Sequence, residues 1–527
     1  MYYRFFVFMT VAIAMVGVAQ AQVQTGYSST PSQGALLAPI PDDAAHSETA
    51  TTKVPAPIVT DDGYTASGYE ENRCKGECCD SGCGANECGY CSSGQYSFCM
   101  PHFCMPSGTP VSSLGKDFFG SDQCYGGPCT SPYLYYKGQF VVESWLDQGY
   151  TWNPANPGNQ SNLPQTFNDR ANEYEMNQLY LVLQRKLNYC KRWDWGARVD
   201  LLYGTDYIYT QAVGLETRTD GTNHWNGPGP REAFGGPGGA AMYGLAMPQI
   251  YAEFLTPLGY GSTVKVGHFY STMGHESVMA PENFFYSHSY TMQYAEPFTF
   301  TGVLGEYRLR QNLSIKAGIV RGWDAWEDPD IAGNVQRRVG FLGGLAWQSN
   351  DERTAVDFNI YTGNEQPDFV DGEMQNRTNY SLVMKRKITP RLTYVMQHDF
   401  GNQQKGAFVL DPQYRTRQIS THWYSLVNYV YYNMSEEMSL GFRFEWFNDP
   451  ELSRVLQLPT PTGSSGGNYY EATIGLNWKP SSFNRLVFRP ELRWDWSDVT
   501  PAGTQGSYDV FTRKNQFTLG LDVLYTF

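Results

Sequence analysis

The larger, carboxyl-terminal part of the chain, from about Leu134 to Phe527, alternates between apolar and polar residues in stretches of 9 to 12 residues. Leu440, Phe442 and Phe444, for example, alternate with Gly441, Arg443 and Glu445. Side chains alternate across a β-strand, so each stretch predicts a strand with one apolar and one polar face. Turn residues separate the stretches, and the pattern therefore predicts an all-β fold.

About 16 such stretches occur, which is an even number of the kind that closes an antiparallel up-and-down transmembrane barrel. They begin near Tyr135, Glu173, Asp194, Pro248, Ser262, Phe298, Leu313, Val339, Thr354, Asn379, Leu392, Ser420, Met438, Asn468, Leu486 and Gln516. We expect short periplasmic turns at Leu309–Leu313, Ser349–Thr354 and Thr389–Leu392. We expect long external loops at Gly214–Tyr243, Glu327–Arg337, Gly363–Gln375 and Asn448–Gly467.

An apolar face can point inward, as in a water-soluble sandwich, or outward to lipid, as in a membrane barrel. The polar rows carry both signs of charge at close spacing, which favours the wall of a water-filled lumen. Opposed charges there would order water and filter solutes. Ordinary solvated faces without tuned selectivity are the alternative. The candidate lumen and selectivity residues are Arg198, Asp200, Arg443, Glu445, Arg489, Glu491, Arg493 and Asp495.

The final stretch is an alternating apolar row that ends on an aromatic residue. The last strand of a barrel must pair with the first, because closure removes the exposed edges. A terminal phenylalanine on such a row resembles the assembly signal of outer-membrane barrels, which predicts contact with the barrel-assembly machinery. The residues of this predicted signal are Leu519, Leu521, Val523, Tyr525 and Phe527.

Composition is compatible with a barrel. Apolar residues make up 41% and aromatic residues 15% of the chain, and mean hydropathy is -0.45. Beyond the amino terminus no run approaches the ~20 apolar residues of a membrane-spanning helix. A barrel strand needs no such run, because only every second side chain faces lipid. A soluble secreted β-protein would have a similar composition. The net charge of -14 argues against a nucleic-acid partner.

The amino terminus predicts export. Arg4 precedes an apolar run from Phe5 to Val18, and Ala19-Gln20-Ala21 supplies small residues for cleavage. We therefore predict a signal peptide over residues 1–21, with an amino-terminal anchor helix as the alternative. Export would place the mature chain in an oxidising compartment.

Two further zones precede the barrel, which we assign to residues 134–527. Residues 22–73 are rich in Ser, Thr and Pro and predict a flexible linker. Residues 74–130 predict a segment stapled by disulfides, with metal binding as the alternative because Cys88 and Cys91 have zinc-ribbon spacing. The candidate disulfide cysteines are Cys74, Cys78, Cys79, Cys83, Cys88, Cys91, Cys99, Cys104, Cys124 and Cys129. Cys190 is predicted to be a lone thiol.

The stretch from Ser271 to Pro297 is too long and irregular for a hairpin turn. It predicts either a constriction folded into the barrel, where irregular backbone is tolerated, or a surface cap. Several histidines invite a metal or catalytic interpretation: His268, His275, His288 and His398. The chain lacks HExxH and GxSxG motifs, so we predict no enzyme, no catalytic residue, no metal site and no cofactor.

Several long motifs carry a family resemblance between Gly149 and Phe527. They lie at Phe167–Arg185, Arg198–Tyr207, Val264–Tyr270, Ala280–Leu304, Arg321–Asp328, Gly441–Asp449 and Arg489–Trp496. With these motifs the chain resembles the OmpL-like β-barrel porins (beta-barrel porin-2) of diderm bacteria. The resemblance implies an outer-membrane barrel assigned as a porin largely by its architecture, and it brings no known solute and no established functional residue.

The sequence therefore predicts an outer-membrane porin for passive diffusion of small hydrophilic solutes or ions. The alternative is a structural or adhesive barrel that displays external loops and a cysteine-rich segment for an envelope partner. An outer-membrane enzyme is a third class. Outer-membrane lipid would surround the barrel, and by analogy with other barrels of this size a homotrimer is compatible with the sequence.

Overall fold

A computed structural model describes residues 140–527, apart from positions 159, 189–191, 219–221, 228–240, 260, 329, 332–333, 336, 368–371, 411–415, 456–465, 484, 502–503 and 510. The described chain forms a closed barrel of 16 antiparallel strands. The strands are β1 (Phe140–Trp152), β2 (Tyr174–Arg185), β3 (Asp194–Gly204), β4 (Gly244–Thr256), β5 (Ser262–Tyr270), β6 (Thr299–Arg310), β7 (Leu313–Val320), β8 (Gly340–Gln348), β9 (Thr354–Pro367), β10 (Met374–Lys387), β11 (Leu392–Leu410), β12 (Thr416–Asn433), β13 (Met438–Asp449), β14 (Gly467–Trp478), β15 (Leu486–Ser497) and β16 (Asn515–Thr526).

Every barrel strand pairs with its neighbours in the chain, and the last strand closes the barrel on the first. The closing register runs from Trp145 opposite Thr526 to Trp152 opposite Leu519. The amide of Phe527 donates to the carbonyl oxygen of Ser144 at 2.9 Å and so extends this seam. Closure leaves no edge strand, and the predicted all-β transmembrane barrel is confirmed.

Exposure along the strands is inverted relative to a water-soluble protein. On β13, Phe442 and Phe444 are exposed, whereas Arg443 and Glu445 between them are fully buried. On β16, Leu519 and Leu521 are exposed and Asp522 is buried. Large apolar side chains on the outside need an apolar surrounding, because water would penalise so large an exposed apolar surface. The apolar rows therefore form the lipid-facing surface of the barrel.

The predicted strand starts agree with the structure to within a residue at most strands. The larger differences are at β4, which begins at Gly244 rather than Pro248, at β10, which begins at Met374 rather than Asn379, and at β12, which begins at Thr416 rather than Ser420. The long loop predicted at 363–375 is wrong, because β9 continues to Pro367 and pairs there with Met374. Tyr135, predicted to open β1, lies outside the described residues.

Short and long connections lie at opposite ends of the barrel. Connections of only a few residues join β6 to β7 and β10 to β11, at the end where β1 starts and β16 finishes. The long connections at residues 153–173, 205–243, 271–298 and 321–339 all lie at the other end. No helix of the described chain is long and apolar enough to cross a membrane. The signal peptide, the linker, the ten candidate disulfide cysteines and Cys190 lie outside the described residues.

Candidate functional site: an inner loop held by the barrel wall

The connection between β5 and β6, residues 271–298, folds into the barrel, and we call it the inner loop. Nearly all of its residues are buried. It contains a 3-10 turn at Ala280–Glu282 and a short π-helical turn at Thr291–Ala295. Of the two interpretations of this segment, a surface cap is wrong because the loop contacts the inner faces of strands on several sides of the barrel.

Carboxylates of the wall accept hydrogen bonds from consecutive amides of the inner loop. Glu445 on β13 accepts the N–H groups of Tyr290 and Thr291, each at 2.6 Å. Glu491 on β15 accepts the N–H of Ser287 at 3.1 Å and that of the residue before it at 3.0 Å. These bonds satisfy main-chain donors that a buried, irregular segment would otherwise leave without partners.

Arginines of the same wall donate to the loop's carbonyl oxygens. Arg443 Nη1 donates to the oxygen of Ser287 at 2.7 Å, and Arg489 Nη1 donates to that of Ala280 at 2.7 Å. Arg493 Nη1 donates to the carbonyl of His288. Wall charges of both signs thus hold the loop by its main chain.

Each of these arginines also has a buried carboxylate partner. Arg443 Nε lies 2.5 Å from Glu471 on β14, and Arg443 Nη1 lies 2.8 Å from Glu276 of the inner loop. Arg489 pairs with Asp522 on β16. Burial alone would raise the pKa of Glu276, but Arg443 and His288 beside it hold that pKa below its ordinary value.

Sequence reasoning did not select Glu471 or Asp522 as site residues. Both occupy the same inward rows as the selected arginines, so strand alternation could have found them. Glu276 could not be found in this way, because it lies in a segment without the apolar–polar alternation of a strand.

Glycines of the wall make room for three consecutive aromatic residues of the loop. A Cβ on Gly441 would lie 2.2 Å from the ring of Phe284, and one on Gly475 would lie 3.0 Å from the ring of Phe285. A Cβ on Gly149 would lie 2.5 Å from the ring of Tyr286. Inward-facing glycines on β1, β13 and β14 therefore form recesses that the loop's aromatic side chains fill.

All eight predicted lumen residues face the inside of the barrel, and seven of them are no more than 3% exposed. Five of the six on β13 and β15 hydrogen-bond to the inner loop, and the sixth, Asp495, accepts from Arg493. The other two are on β3, where Arg198 donates to Asp200 at 2.7 Å and Tyr180 donates to Asp200 at 2.6 Å. These side chains contact protein groups, and their role in solute selectivity stays a prediction.

The candidate histidines have structural partners. His275 Nε2 lies 3.1 Å from the hydroxyl of Tyr431, and burial lowers the pKa of His275 to about 3. His288 Nδ1 lies 3.6 Å from Glu276, and burial lowers the pKa of His288. His268 contacts Thr301. Within the described residues no three His, Cys, Asp or Glu side chains converge in an arrangement that could hold a metal ion.

Two other long connections enter the barrel beside the inner loop. From residues 153–173, the carbonyl of Pro164 accepts the hydroxyl of Tyr294 at 2.6 Å, and the ring of Phe167 packs 4.4 Å from that of His288. From residues 205–243, Tyr209 stacks on Phe167 with centroids 4.7 Å apart. The inner loop is therefore held by neighbouring segments as well as by the wall.

The opposite wall, from β7 to β12, has buried polar groups that the protein does not satisfy. Along it runs a series of buried polar atoms without a hydrogen-bond partner in the protein. From the long-loop end to the short-turn end they are Thr421 Oγ1, Asn379 Oδ1, Asp357 Oδ2, Lys385 Nζ and Ser314 Oγ. An unmatched buried polar group costs about 1–3 kcal/mol, so these atoms indicate a strip of the interior that protein groups alone do not satisfy.

With the barrel and its interior described, comparison with known proteins gives the family. A family described as "Putative beta-barrel porin-2, OmpL-like" matches residues 139–527. The chain belongs to this family. Membership confirms the resemblance found in the motifs, supports an outer-membrane location, and indicates a channel rather than an enzyme. No curated protein matches this OmpL-like chain by sequence.

Several solved structures are similar in fold to this OmpL-like barrel. The outer membrane channel DcaP of Acinetobacter baumannii is 9% identical with a TM-score of 0.45, over 74% of this chain and 97% of that one. OmpF of Salmonella typhi is 8% identical with a TM-score of 0.43, over 74% and 97%. OprB of Pseudomonas putida is 11% identical with a TM-score of 0.43, over 74% and 94%.

Proposed function

We propose that the protein is a narrow outer-membrane channel through which small hydrophilic solutes or ions diffuse passively. The observation that carries this proposal is the strip of unmatched polar atoms on the β7–β12 wall, which reaches from one end of the barrel to the other. Water or a passing solute would supply the missing partners, because polar groups that are kept without them are costly. We call this strip the polar strip.

The inner loop narrows the path that is left for a solute. Glu445 on β13 and Glu491 on β15 accept hydrogen bonds from amides of the inner loop, so the inner loop fills that side of the barrel. On the opposite side Lys385 Nζ and Asp357 Oδ2 remain unmatched. The inner loop also contacts Gln397 on β11 and Tyr431 on β12. The solute path would therefore be a narrow one along the unmatched groups of β7, β9 and β10, and large solutes would be excluded.

Single-channel conductance of the full-length, folded protein in a planar bilayer tests the proposal. We expect discrete steps and a reversal potential in a salt gradient that moves toward cation preference in Lys385→Gln and further in Lys385→Glu. Arg417→Gln is the matched control, because Arg417 is exposed on β12 outside the polar strip. A folded, heat-modifiable barrel that never conducts would contradict the channel.

A structural or adhesive barrel is the second candidate, because three long connections enter the lumen and occupy much of it. In this case the folded protein would bind an envelope partner through residues 74–130 or the external loops and would not conduct. The homotrimer, the barrel-assembly machinery as a partner and an envelope partner for the cysteine-rich segment stay predictions.

A further inference from the structure

We propose that two copies of this chain associate in the membrane through the outer surface of β11 and β12, where His398 of each copy binds Asn428 of the other across a two-fold axis. The association goes beyond the proposed channel, because this surface lies on the outside of the barrel and is present whether or not the interior conducts.

His398 and Asn428 belong to the lipid-facing rows of their strands. Asn428 lies directly opposite Phe444, which is exposed on the lipid-facing surface. His398 lies directly opposite Leu426, two residues before Asn428 in the same strand. Directly opposite residues point to the same face of a sheet, and so do alternate residues of one strand. Both polar side chains are therefore on the outside of the barrel, and both are partly exposed.

The two side chains lie at the middle of the lipid-facing surface. Asn428 lies four residues from Tyr424 toward one end of β12 and four residues from Tyr432 toward the other. Aromatic residues of this kind mark the two membrane interfaces of a barrel, so Asn428 is midway between the interfaces. His398 lies on the next strand, diagonally opposite Asn428, because it pairs with Leu426. Both polar side chains therefore face the hydrocarbon layer.

This composition differs from that of the surface over the following strands. At the same depth on β13, β14 and β16 the lipid-facing side chains are apolar, as at Phe442, Ile474 and Leu521. Lipid tails offer no hydrogen bonds, and a polar group left unmatched among them costs free energy. Polar side chains within the membrane layer accordingly form hydrogen bonds between protein surfaces. The pair on β11 and β12 indicates such a contact surface.

Each of the two polar side chains is only partly matched by its own chain. The hydroxyl of Tyr394 donates to Asn428 Oδ1 at 2.7 Å, and the hydroxyl of Tyr380 lies 3.4 Å from His398 Nδ1. Among the residues that the structure describes, neither the amide nitrogen of Asn428 nor Nε2 of His398 has a hydrogen-bond partner. These nitrogens need partners that lie at the same depth in the membrane.

A second copy of the same surface supplies these partners. Two copies that span the membrane in the same direction are related by a two-fold axis along the membrane normal, which keeps every residue at its depth. An axis between β11 and β12 brings His398 of each copy to Asn428 of the other. An amide carries both donors and acceptor lone pairs, so Asn428 can pair with either tautomer of His398. Lipid headgroups lie at the two ends of the strands and do not reach this depth.

The surface around His398 is ordered before any association. The ring of Tyr380 stacks on that of His398 with centroids 5.8 Å apart, and it packs against Phe358 at 5.7 Å and Phe400 at 6.0 Å. These rings restrict the imidazole, so less side-chain freedom is lost when two copies meet.

Association of the folded, full-length protein in lipid bilayers tests this pairing. Copies that carry amine-reactive donor or acceptor dyes report dimers by energy transfer, which is followed as the lipid-to-protein ratio is raised. His398→Leu and Asn428→Leu should each raise the dissociation constant about tenfold, because each removes both hydrogen bonds of the symmetric interface. The double variant should be little weaker than either single variant, because the two side chains bind each other.

Gln148→Leu is the matched control. Gln148 is a polar side chain in the lipid-facing row of β1, opposite Val523 on β16, and its Oε1 accepts the hydroxyl of Tyr174 at 2.8 Å. This variant also exchanges a polar side chain for leucine on the lipid face, but it lies away from β11 and β12, so it should dimerise like the unchanged protein. Heat-modifiable mobility checks that every variant is folded.

Photo-cross-linking in membranes of cells that produce the protein identifies the occupant of the surface. A benzophenone side chain in place of Leu426 should give a product of twice the chain's mass that contains only this chain, whereas the same group in place of Leu521 should not. A monomer at every lipid ratio, or an oligomer that either leucine substitution at 398 or 428 leaves as tight as before, would overturn the proposal. Cross-linking from position 426 only to a different membrane protein would also overturn it.

Discussion

Replacing Arg443 by methionine should release the inner loop from the wall while leaving the barrel folded. Arg443 is fully buried and holds Glu276 at 2.8 Å, Glu471 at 2.5 Å and the carbonyl of Ser287 at 2.7 Å. Methionine is of comparable length and is apolar, so it fills the space without supplying any of these contacts. Two buried carboxylates would then lose their nearest positive charge.

The magnitude follows from this loss. Removing one partner of a buried ion pair costs about 3–5 kcal/mol, because the remaining charge stays buried without compensation. The strands keep their hydrogen-bonded pairing, so we expect the cost to fall on the loop's attachment. Opening of the loop should become roughly a hundred to several thousand times more frequent.

Hydrogen–deuterium exchange of peptides covering residues 284–294 measures this opening. Exchange there should accelerate by the stated factor in Arg443→Met, while strand peptides keep their protection. Arg417→Met is the control, because Arg417 is exposed. Arg443→Met combined with Glu471→Gln should recover part of the protection, because one of the two buried carboxylates that lost its partner is then neutral. Unchanged exchange in the single variant would refute the idea that wall charges hold the loop.

Three further changes test other parts of the structure. Gly441→Ala should displace the Phe284 ring and cost about 1–3 kcal/mol of stability in urea unfolding, whereas Gly305→Ala, which meets only one atom at 3.5 Å, should cost little. Burial raises the pKa of Glu216 from 4.5 to about 8, so the folded state binds a proton that the unfolded state releases. Local stability should therefore fall as the pH rises from 4.5 to 8. Amide exchange near Glu216, corrected for its intrinsic pH dependence, should rise over this range in the unchanged protein and should not rise in Glu216→Gln. Leu521→Arg places a charge on the lipid face and should cost about 2–4 kcal/mol, seen as a lower yield of heat-modifiable barrel.

Much of the fold could be predicted because lipid outside and polar groups inside impose a period of two on every strand. That rule placed Arg443 and Glu445 inside the barrel. It failed at residues 363–375, where Gly, Asn, Pro and Asp suggested a loop. There β9 continues to Pro367 and pairs with the start of β10 at Met374, because main-chain hydrogen bonds between strands do not require an apolar row.

The site was less predictable because its contacts are distant in sequence and have no period. The sequence pattern predicted the wall charges. It did not predict that they bind main-chain groups of the inner loop, because no local pattern encodes such a contact. The recesses at Gly441 and Gly475 were visible only as glycines in polar rows. Trp323 lies in an irregular connection, and nothing in its local sequence indicates that its ring meets the guanidinium of Arg377.

The way the wall holds the inner loop also sets the order in which the protein can assemble. Glu445 lies 155 residues after the amide of Tyr290 that it binds, and Glu491 lies 205 residues after that of Tyr286. The loop can therefore be ordered only when these late strands are in place, and contacts of such long sequence separation slow folding. The inner loop can take up its buried position only after β13 and β15 have joined the barrel, so a barrel that lacks these strands would leave the loop's amides without their acceptors.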